Sequence, residues 1–359
     1  MKLSSEQKTI IKEIVTGKNG IKHNQIVTLG GYAGTGKTVT IQHLKHILPT
    51  FAVCAYTGKA ADVLRKKGLI DASTIHSLIY VPLLNFDGSI AFDKNGSPIF
   101  VLATDLPYDG IIVDEASMVG KEIYDDLISF GLPIIFVGDH GQLEPVNSDF
   151  NIMKTPQFKL EEIHRNAGEI AYFAQHIRQG FRAATFNATS AIEFITKYKS
   201  YELFTKVDQI ICAFNKTRVE INKDTRKQLW NIVDDWPIVG DRIMCLRNNK
   251  KVGVFNGMQG KANKIGFKGK NSMEFESNKQ LYEIYFDPSQ FNKEKYEISS
   301  NRDDPHPFDF CYASTCHKCQ GDEWDIGLVV EQKSKNWDHK RWAYTAASRF
   351  KKKIYWCES

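Results

Sequence analysis

The chain has 359 residues, of which 42% are apolar and 25% charged, with a formal net charge of +5. That composition fits a globular chain of about two domains at ~150 residues each, and its mild basicity permits a polyanionic partner without demanding one. No apolar run approaches the ~20 residues of a membrane span, the N-terminus lacks a signal-peptide core, and seven cysteines without regular spacing predict reduced thiols in a cytoplasmic compartment.

Short apolar runs recur along the chain, each followed by turn residues and a helical stretch. Residues 25–29 (QIVTL) predict a strand, then a glycine-rich turn and a helix over 38–48. Phe51–Ala55 predicts the next strand, with a helix over 60–67, and residues 110–113 and 133–137 predict two more strands. Unbroken β-branched runs mark strands covered on both faces, and the strand–helix alternation predicts a parallel sheet. The pattern breaks over 80–108, where Phe86, Phe92 and Phe100 stand among the turn signals Asp87-Gly88 and Lys94-Asn95-Gly96, which reads as an inserted β-hairpin. It resumes at 209–214, 241–246, 310–314, 326–331 and 353–356, read as a second parallel sheet, while the polar stretch 254–307, containing 280–286 (QLYEIYF), reads as a small β insertion. The expected fold is therefore α/β, with two parallel-sheet domains in tandem, 1–205 and 206–359, each carrying a small β insertion (80–108 and 254–307).

The octapeptide Gly31-Tyr32-Ala33-Gly34-Thr35-Gly36-Lys37-Thr38 satisfies the P-loop pattern G-x-x-x-x-G-K-[ST], between a predicted strand and a predicted helix. Gly31, Gly34, Thr35 and Gly36 allow backbone N–H groups to turn onto phosphate oxygens, and the helix N-terminus adds partial positive charge. Lys37 would reach the β and γ phosphates of ATP, and the Thr38 hydroxyl would bind Mg²⁺. A tight strand–helix turn is the bland alternative, outweighed by eight fitting positions in the right context. Residues 111–115 end a buried strand in two carboxylates. Asp114 is placed to hold Mg²⁺ through water, and Glu115 to orient and deprotonate the attacking water. Alone, such a pair is often no more than a helix N-cap region.

These residues, with others in order from 7 to 349, resemble the superfamily one helicases, of the RecD and Dda type. The resemblance implies two RecA-like domains. Leu3-Ser-Ser-Glu-Gln7 is similar to the family's Q-motif, which implies that Gln7 reads the adenine edge. Residues 55–61, with Thr57 and Lys59, resemble motif Ia, and 72–76, with Thr74 and His76, resemble motif Ib; both imply contacts to a single strand. Residues 137–146 resemble motif III, with Gln142 sensing the γ-phosphate, and 160–165 resemble the next motif, with Arg165 touching it. Residues 213–222 resemble motif IV. Residues 313–323 resemble motif V, which implies that Thr315, His317 and Lys318 face the strand, that Gln320 and Gly321 line the nucleotide, and that Glu323 meets the ribose. Residues 344–349 resemble motif VI, with Arg349 as an arginine finger. Departures are Tyr56 where proline is usual, Met258 where an aspartate is usual, and Ala347-Ser348 before Arg349.

The resemblance implies an ATP-dependent helicase moving 5′ to 3′ on single-stranded DNA, with a duplex fork as substrate, Mg²⁺ as cofactor, no membrane, and a monomeric state. A single-strand-binding or replication protein is a further candidate partner, and a phage source would place the protein in the host cytoplasm. The chemistry agrees: a γ-phosphate in transfer carries spread charge that guanidinium groups stabilise, and small polar side chains after strands suit phosphate contacts without sequence information. The hairpin with Phe86, Phe92 and Phe100 would split the fork, or else pack its own aromatics. Three rivals stand beside this reading. They are a P-loop ATPase remodelling protein or nucleoprotein, an RNA helicase, and a nucleic-acid binder with a degenerate ATP site, which an intact Lys37, Thr38, Asp114 and Glu115 disfavour. Cys311, Cys316, Cys319 and Cys357 imitate an iron–sulfur spacing, and His317 could join a zinc set; as motif V residues the same cysteines are small buried fillers.

Overall fold

The computed structural model describes residues 3–92, 98–144, 150–164, 168–249, 252–277, 279–299, 304–335 and 337–358. The chain forms two compact units. The first comprises Met1–Leu83, Phe100–Ala183 and Asp338–Ser348, and the second Leu84–Ile99, Ala184–Trp337 and Arg349–Ser359.

The first unit opens with α1 (Ser5–Thr16), started by a capping box in which Ser4 and Gln7 exchange backbone–side-chain hydrogen bonds. Then follow β1 (Ile26–Gly31), α2 (Lys37–Ile47), β2 (Phe51–Ala55), α3 (Gly58–Lys66), β3 (Ser73–Thr74) and α4 (Ile75–Ile79). The short strands β4 (Tyr80–Pro82) and β5 (Phe100–Leu102) pair antiparallel, so the predicted hairpin exists at its base. Beyond that base the segment does not group with the first unit as expected for 80–108: Leu84–Ile99 belongs to the second unit, with residues 93–97 outside the described residues and Phe86 and Phe92 exposed. The remaining elements are β6 (Gly110–Asp114), α5 (Lys121–Ser129), β7 (Ile134–Gly138), β8 (Phe158–Leu160) and α6 (Gly168–Arg178). The sheet is wholly parallel, in the order β3-β2-β6-β7-β1-β8. Helices cover both faces, so Val27, Leu29, Ile111, Ile112, Ile135 and Phe136 are all buried, which is why these strands read as unbroken apolar runs.

In the second unit β9 (Ile192–Ile195), α7 (Lys197–Leu203), β10 (Gln209–Cys212) and α8 (Asn215–Trp230) lead into β11 (Arg242–Cys245), β12 (Gln259–Ile265), β13 (Ser272–Ser277), β14 (Gln280–Asp287) and β15 (His306–Phe310). β16 (Ala313–Thr315) and β17 (Trp324–Glu331) follow. α9 (His339–Ala347) belongs to the first unit, and β18 (Phe350–Glu358) returns to the second. The second sheet is also parallel, ordered β16-β10-β17-β18-β9, while β11 to β15 close into a barrel. The barrel core is aromatic, with Phe275, Phe286, Phe308 and Phe310 fully buried.

Three expectations change. Residues 241–246 and the first residue of 310–314 belong to the barrel, not to the parallel sheet: β11 pairs antiparallel with β12 and β15. The insertion is accordingly larger than 254–307. The domain boundary falls at 183/184 rather than 205/206, because β9 is the edge strand beside β18. The last change is α9, which the tandem division 1–205 and 206–359 left out of the first unit.

Helix α8 is fastened to the barrel by two buried ion pairs. Arg218 meets Asp309, and Arg226 Nε donates to Asp241 at 3.1 Å, all four side chains being at most 1% exposed. Asp241 also accepts from the Tyr312 hydroxyl at 2.8 Å and Ile238 N at 2.8 Å. Removing one member of such a pair leaves a buried charge unmatched, at a cost of about 3–5 kcal/mol. Asp241→Ala should therefore lower unfolding stability in urea by about 3 kcal/mol or more. Lys199→Ala, which removes an exposed pair with Glu193, should cost under ~1 kcal/mol.

Candidate nucleotide site

The carboxyl ends of parallel strands are where such sheets hold ligands, and here β1, β6 and β7 end side by side. The turn after β1 is the P-loop. Gly34 and Gly36 take positive φ, +82° and +79°, a region in which only glycine is unstrained. Gly36 is the N-cap of α2, so the helix N-terminus points its free N–H groups into the loop. Lys37 Nζ donates to the carbonyls of Gly31 at 2.8 Å and Tyr32 at 3.2 Å. The loop is braced from behind. Gln7 Nε2 donates to Thr35 O (3.2 Å) and Gly36 O (3.4 Å), and His164 Nε2 lies 3.1 Å from Thr35 O. Gln7 is 2% exposed and its Oε1 accepts from Ser4 N, so in this structure the carboxamide proposed for the adenine edge is committed to holding the loop.

At the end of β6, Asp114 accepts from Glu115 N at 2.9 Å. Burial and the adjacent Glu115 push its carboxyl up to about 7, against the lowering pull of Lys37 and Lys67. Glu115 itself sits at φ +54°, a strained conformation for a non-glycine residue, and its Oε2 is buried without a hydrogen-bond partner. At the end of β7, Asp139 is fully buried. It accepts from Gly141 N (2.9 Å), Gln142 Nε2 (3.2 Å) and the Tyr344 hydroxyl (2.6 Å), and lies 3.9 Å from Lys37 Nζ. Gln142 Oε1 is buried and unpartnered. Helix α9 locks this corner: Tyr344 OH accepts from Ala33 N at 2.8 Å, Thr345 Oγ1 from Leu143 N at 2.9 Å, and Arg341 Nη1 donates to the carbonyls of His140 and Gln142.

These residues fit a nucleoside triphosphate and a divalent cation. A Cβ on Gly31 would come within 2.7 Å of Thr35 Oγ1 and 2.9 Å of Lys37 Cγ, so the cradle tolerates only glycine there. Glu115 Oε2 and Gln142 Oε1 are buried oxygens left without a partner, and a bound cation would relieve the disfavoured charge on Asp114. Thr38 Oγ1, the other expected ligand, accepts from Lys67 Nζ at 3.4 Å.

The expected strand contacts in the first unit all stand at helix starts. Thr57 caps α3 and Thr74 caps α4, accepting from Ala60 N and Ser77 N, each at 3.1 Å. Lys59 lies in the first turn of α3, and the exposed His76 packs on Tyr80 at 5.5 Å. In the second unit Thr315, 9% exposed, precedes a 3₁₀ turn containing His317 and Lys318. Burial lowers His317, and lowers Lys318 to about 8, its ammonium lying 4.2 Å over the Tyr296 ring. Gln320 is buried, Gly321 has φ +81°, and Glu323 pairs with Lys351 at 2.8 Å. Arg349 is 5% exposed and donates to Asp322 O at 3.4 Å. Arg165 lies outside the described residues. The cysteines are buried and none is in a disulfide; burial raises the thiols of Cys316, Cys319 and Cys357, and among the described residues no His/Cys/Asp/Glu group is arranged to hold a metal.

Residues 2–200 match the family model described as an AAA domain, and residues 310–356 match the UvrD-like helicase C-terminal domain. The ATP-dependent DNA helicase dda of Enterobacteria phage T4 is 26% identical over 275 residues, covering 67% of this chain and 60% of that protein. The ATP-dependent RecD2 DNA helicase of Deinococcus radiodurans is 29% identical over 178 residues, 46% of this chain and 22% of that one. The crystal structure of Bacteroides Pif1 bound to single-stranded DNA superposes with a TM-score of 0.60 at 19% identity, covering 99% of this chain and 92% of that one. The chain belongs to the superfamily one helicases of the RecD, Dda and Pif1 type. It spans only part of the length of the curated relatives it matches, 60% of Dda and 22% of RecD2.

Within this helicase fold, sequence reasoning missed Tyr344, Asp139 and His164 as parts of the ATP site. Asp139 and His164 sit inside the matched motifs, and their position beside Gln142 and Arg165 was the available signal. Tyr344 to Phe should leave Ala33 N without its acceptor and Asp139 without its shortest donor. At ~1–3 kcal/mol for each unsatisfied buried group, the variant should unfold at lower urea and bind nucleotide about tenfold more weakly, read by urea titration and nucleotide fluorescence.

Proposed function

We propose that this protein is an ATP-dependent DNA helicase that translocates 5′ to 3′ along single-stranded DNA and unwinds duplex at a fork. The observation that carries the reading is the convergence of Lys37, Asp114, Glu115, Asp139 and Gln142 on neighbouring carboxyl ends of one parallel sheet. Lys37 holds the β and γ phosphates. Glu115, whose Oε2 lacks a partner, orients the attacking water and takes its proton. Gln142 reads the γ-phosphate with its Nε2 donor, which Asp139 holds in this structure, its unpartnered Oε1 is free to accept from the attacking water, and it passes the change to the segment that follows. Thr38 and Asp114 would hold Mg²⁺, which would supply positive charge against the charge developing on the phosphoryl group. Arg165 and Arg349 are assigned the stabilisation of charge on the transferred phosphoryl group.

Thr57, Lys59, Thr74, His76, Thr315, His317 and Lys318 are the proposed strand contacts, directed at phosphate and sugar and therefore indifferent to sequence. A DNA rather than RNA substrate, the polarity, a monomeric state, and the division of labour between domains all rest on similarity to the Dda and RecD type. The names of those relatives, DNA helicases, support the choice of DNA.

Turnover should rise on adding single-stranded DNA and far less on adding single-stranded RNA. Lys37→Ala should abolish hydrolysis, and Glu115→Gln should keep nucleotide binding while stopping turnover. Nucleotide binding and phosphate release are measured separately, and normal turnover in Glu115→Gln would remove it as the water-orienting group.

Polarity has its own test. Partial duplexes carrying only a 5′ or only a 3′ single-stranded tail should be unwound from the 5′ tail. Unwinding that requires the 3′ tail would reverse the direction and leave the ATPase assignment intact. Binding should also weaken steeply with salt, since phosphate contacts release counterions.

A further inference from the structure

Beside the nucleotide cradle, inside the first unit, lies a cleft of about 280 Å³ that none of the roles above uses. Tyr32 and Tyr344 form the wall it shares with the P-loop; Arg178, Lys154, Lys340 and Arg341 supply its charge. Arg341 is matched, lying 3.6 Å from Asp338 and 3.7 Å from Glu144. Arg178, Lys154 and Lys340 have no carboxylate in ion-pair range among the described residues. Asp338, the carboxylate of the lining, caps α9 by accepting from Lys340 N and Arg341 N. The cleft therefore carries excess positive charge.

Its floor is built, not merely charged. The guanidinium of Arg178 lies flat on the Tyr32 ring, 3.4 Å from the centroid, and the His140 ring packs on the same tyrosine at 4.1 Å. Arg178 Nε is buried and lacks a hydrogen-bond partner, whereas His140 Nδ1, also unpartnered, is turned toward Gly30. Buried polar atoms in folded proteins are satisfied almost without exception, so an unsatisfied guanidinium nitrogen on a residue that lines a cationic cleft marks a ligand position. A guanidinium fixed by stacking presents a rigid fork that suits an oxyanion. Burial drops the His140 imidazole to about 4, so near neutral pH it stands there as an uncharged ring.

The position identifies the anion. Lys37 Nζ reaches the carbonyls of Gly31 and Tyr32, and the P-loop lysine reaches the β and γ phosphates, so the γ end of the cradle is the Tyr32 end. Tyr32 is at once a P-loop residue and the platform for Arg178. Its hydroxyl neighbour Tyr344 bonds both Ala33 N and Asp139.

We infer that this cleft is a phosphate-binding site that receives the inorganic phosphate released from ATP. The assignment of the source rests on the hydrolytic function proposed above; the binding chemistry does not. A backbone phosphate of nucleic acid offers the same chemistry from another source.

The experiment is calorimetric titration of nucleotide-free protein with inorganic phosphate, against chloride at equal ionic strength. Three proteins are compared: wild type, Lys37→Ala, and the double variant Arg178→Gln/Lys340→Gln. Wild type and Lys37→Ala should bind phosphate alike, and the double variant should bind at least tenfold more weakly while its ADP affinity and circular dichroism are unchanged. Affinity for oligo(dT) should be the same in wild type and double variant. Loss of phosphate binding in Lys37→Ala with retention in the double variant would put the anion in the P-loop and overturn the site, as would absence of binding in wild type. A parallel loss of phosphate and oligo(dT) binding in the double variant would make the cleft a strand contact and overturn the product assignment. No turnover is needed, so failure here leaves the ATPase reading standing, and an inactive ATPase with intact phosphate binding would count against that reading alone.

Discussion

A single buried carboxylate, Asp139, organises the first unit. It has no solvent exposure, and an isolated carboxylate in such a place would cost several kcal/mol in lost hydration. Donors surround it instead: the Tyr344 hydroxyl, Gln142 Nε2, the Gly141 N–H and, at 3.9 Å, the Lys37 ammonium. The four donors come from three parts of the sequence, so satisfying one carboxylate fixes the P-loop lysine, the segment after β7 and helix α9 against one another. Triphosphate would compete with Asp139 for Lys37, and the remaining donors, Gln142 and Tyr344, are the ones that must answer.

The parallel sheet supplies the platform for this arrangement. Neighbouring strands in register bring Gly30 opposite Gly138 and Val113 opposite Phe136, so the residues just beyond them, the P-loop, Asp114 and Asp139, leave the sheet on one edge. The second unit repeats the parallel layout but invests its buried charge elsewhere. Arg218–Asp309 and Arg226–Asp241 bind α8 to the barrel, which is a structural use of ion pairs rather than a catalytic one.

Legibility in the sequence followed locality. The P-loop was readable because the positive φ of Gly34 and Gly36 and the helix start at Lys37 require a fixed string of adjacent residue types. The strands β1, β2, β6 and β7 were readable because burial on both faces leaves a continuous apolar run. The barrel was not, since β11 has the same length and apolarity as a parallel strand and nothing within 241–246 says that its partners are β12 and β15. Likewise no local signal announces that Tyr344 bonds Ala33 across 311 positions, or that Arg178 stacks on Tyr32. Cys316 and Cys319 illustrate the reverse case, in which a suggestive spacing is explained by burial.

The bracing of the P-loop bears on what ATP binding must change. Gln7 and His164 hold the backbone of Thr35 and Gly36 from outside the cradle, and Tyr344 holds Ala33. The loop's backbone is thus fixed by bonds that a nucleotide on the inner side has no reason to break. Lys37 is different, since its ammonium donates inward to Gly31 and Tyr32 carbonyls and leans toward Asp139. Phosphate oxygens offer that ammonium charged acceptors in place of neutral ones, and charge-assisted hydrogen bonds are roughly twice as strong as neutral ones. Accommodating the triphosphate is then a rotation of one lysine side chain in a preorganised frame. As the Lys37 ammonium turns from Asp139 to phosphate, Asp139 loses its nearest cation, so Gln142 and α9, which bond that carboxylate, are the elements through which hydrolysis would be felt beyond the cradle.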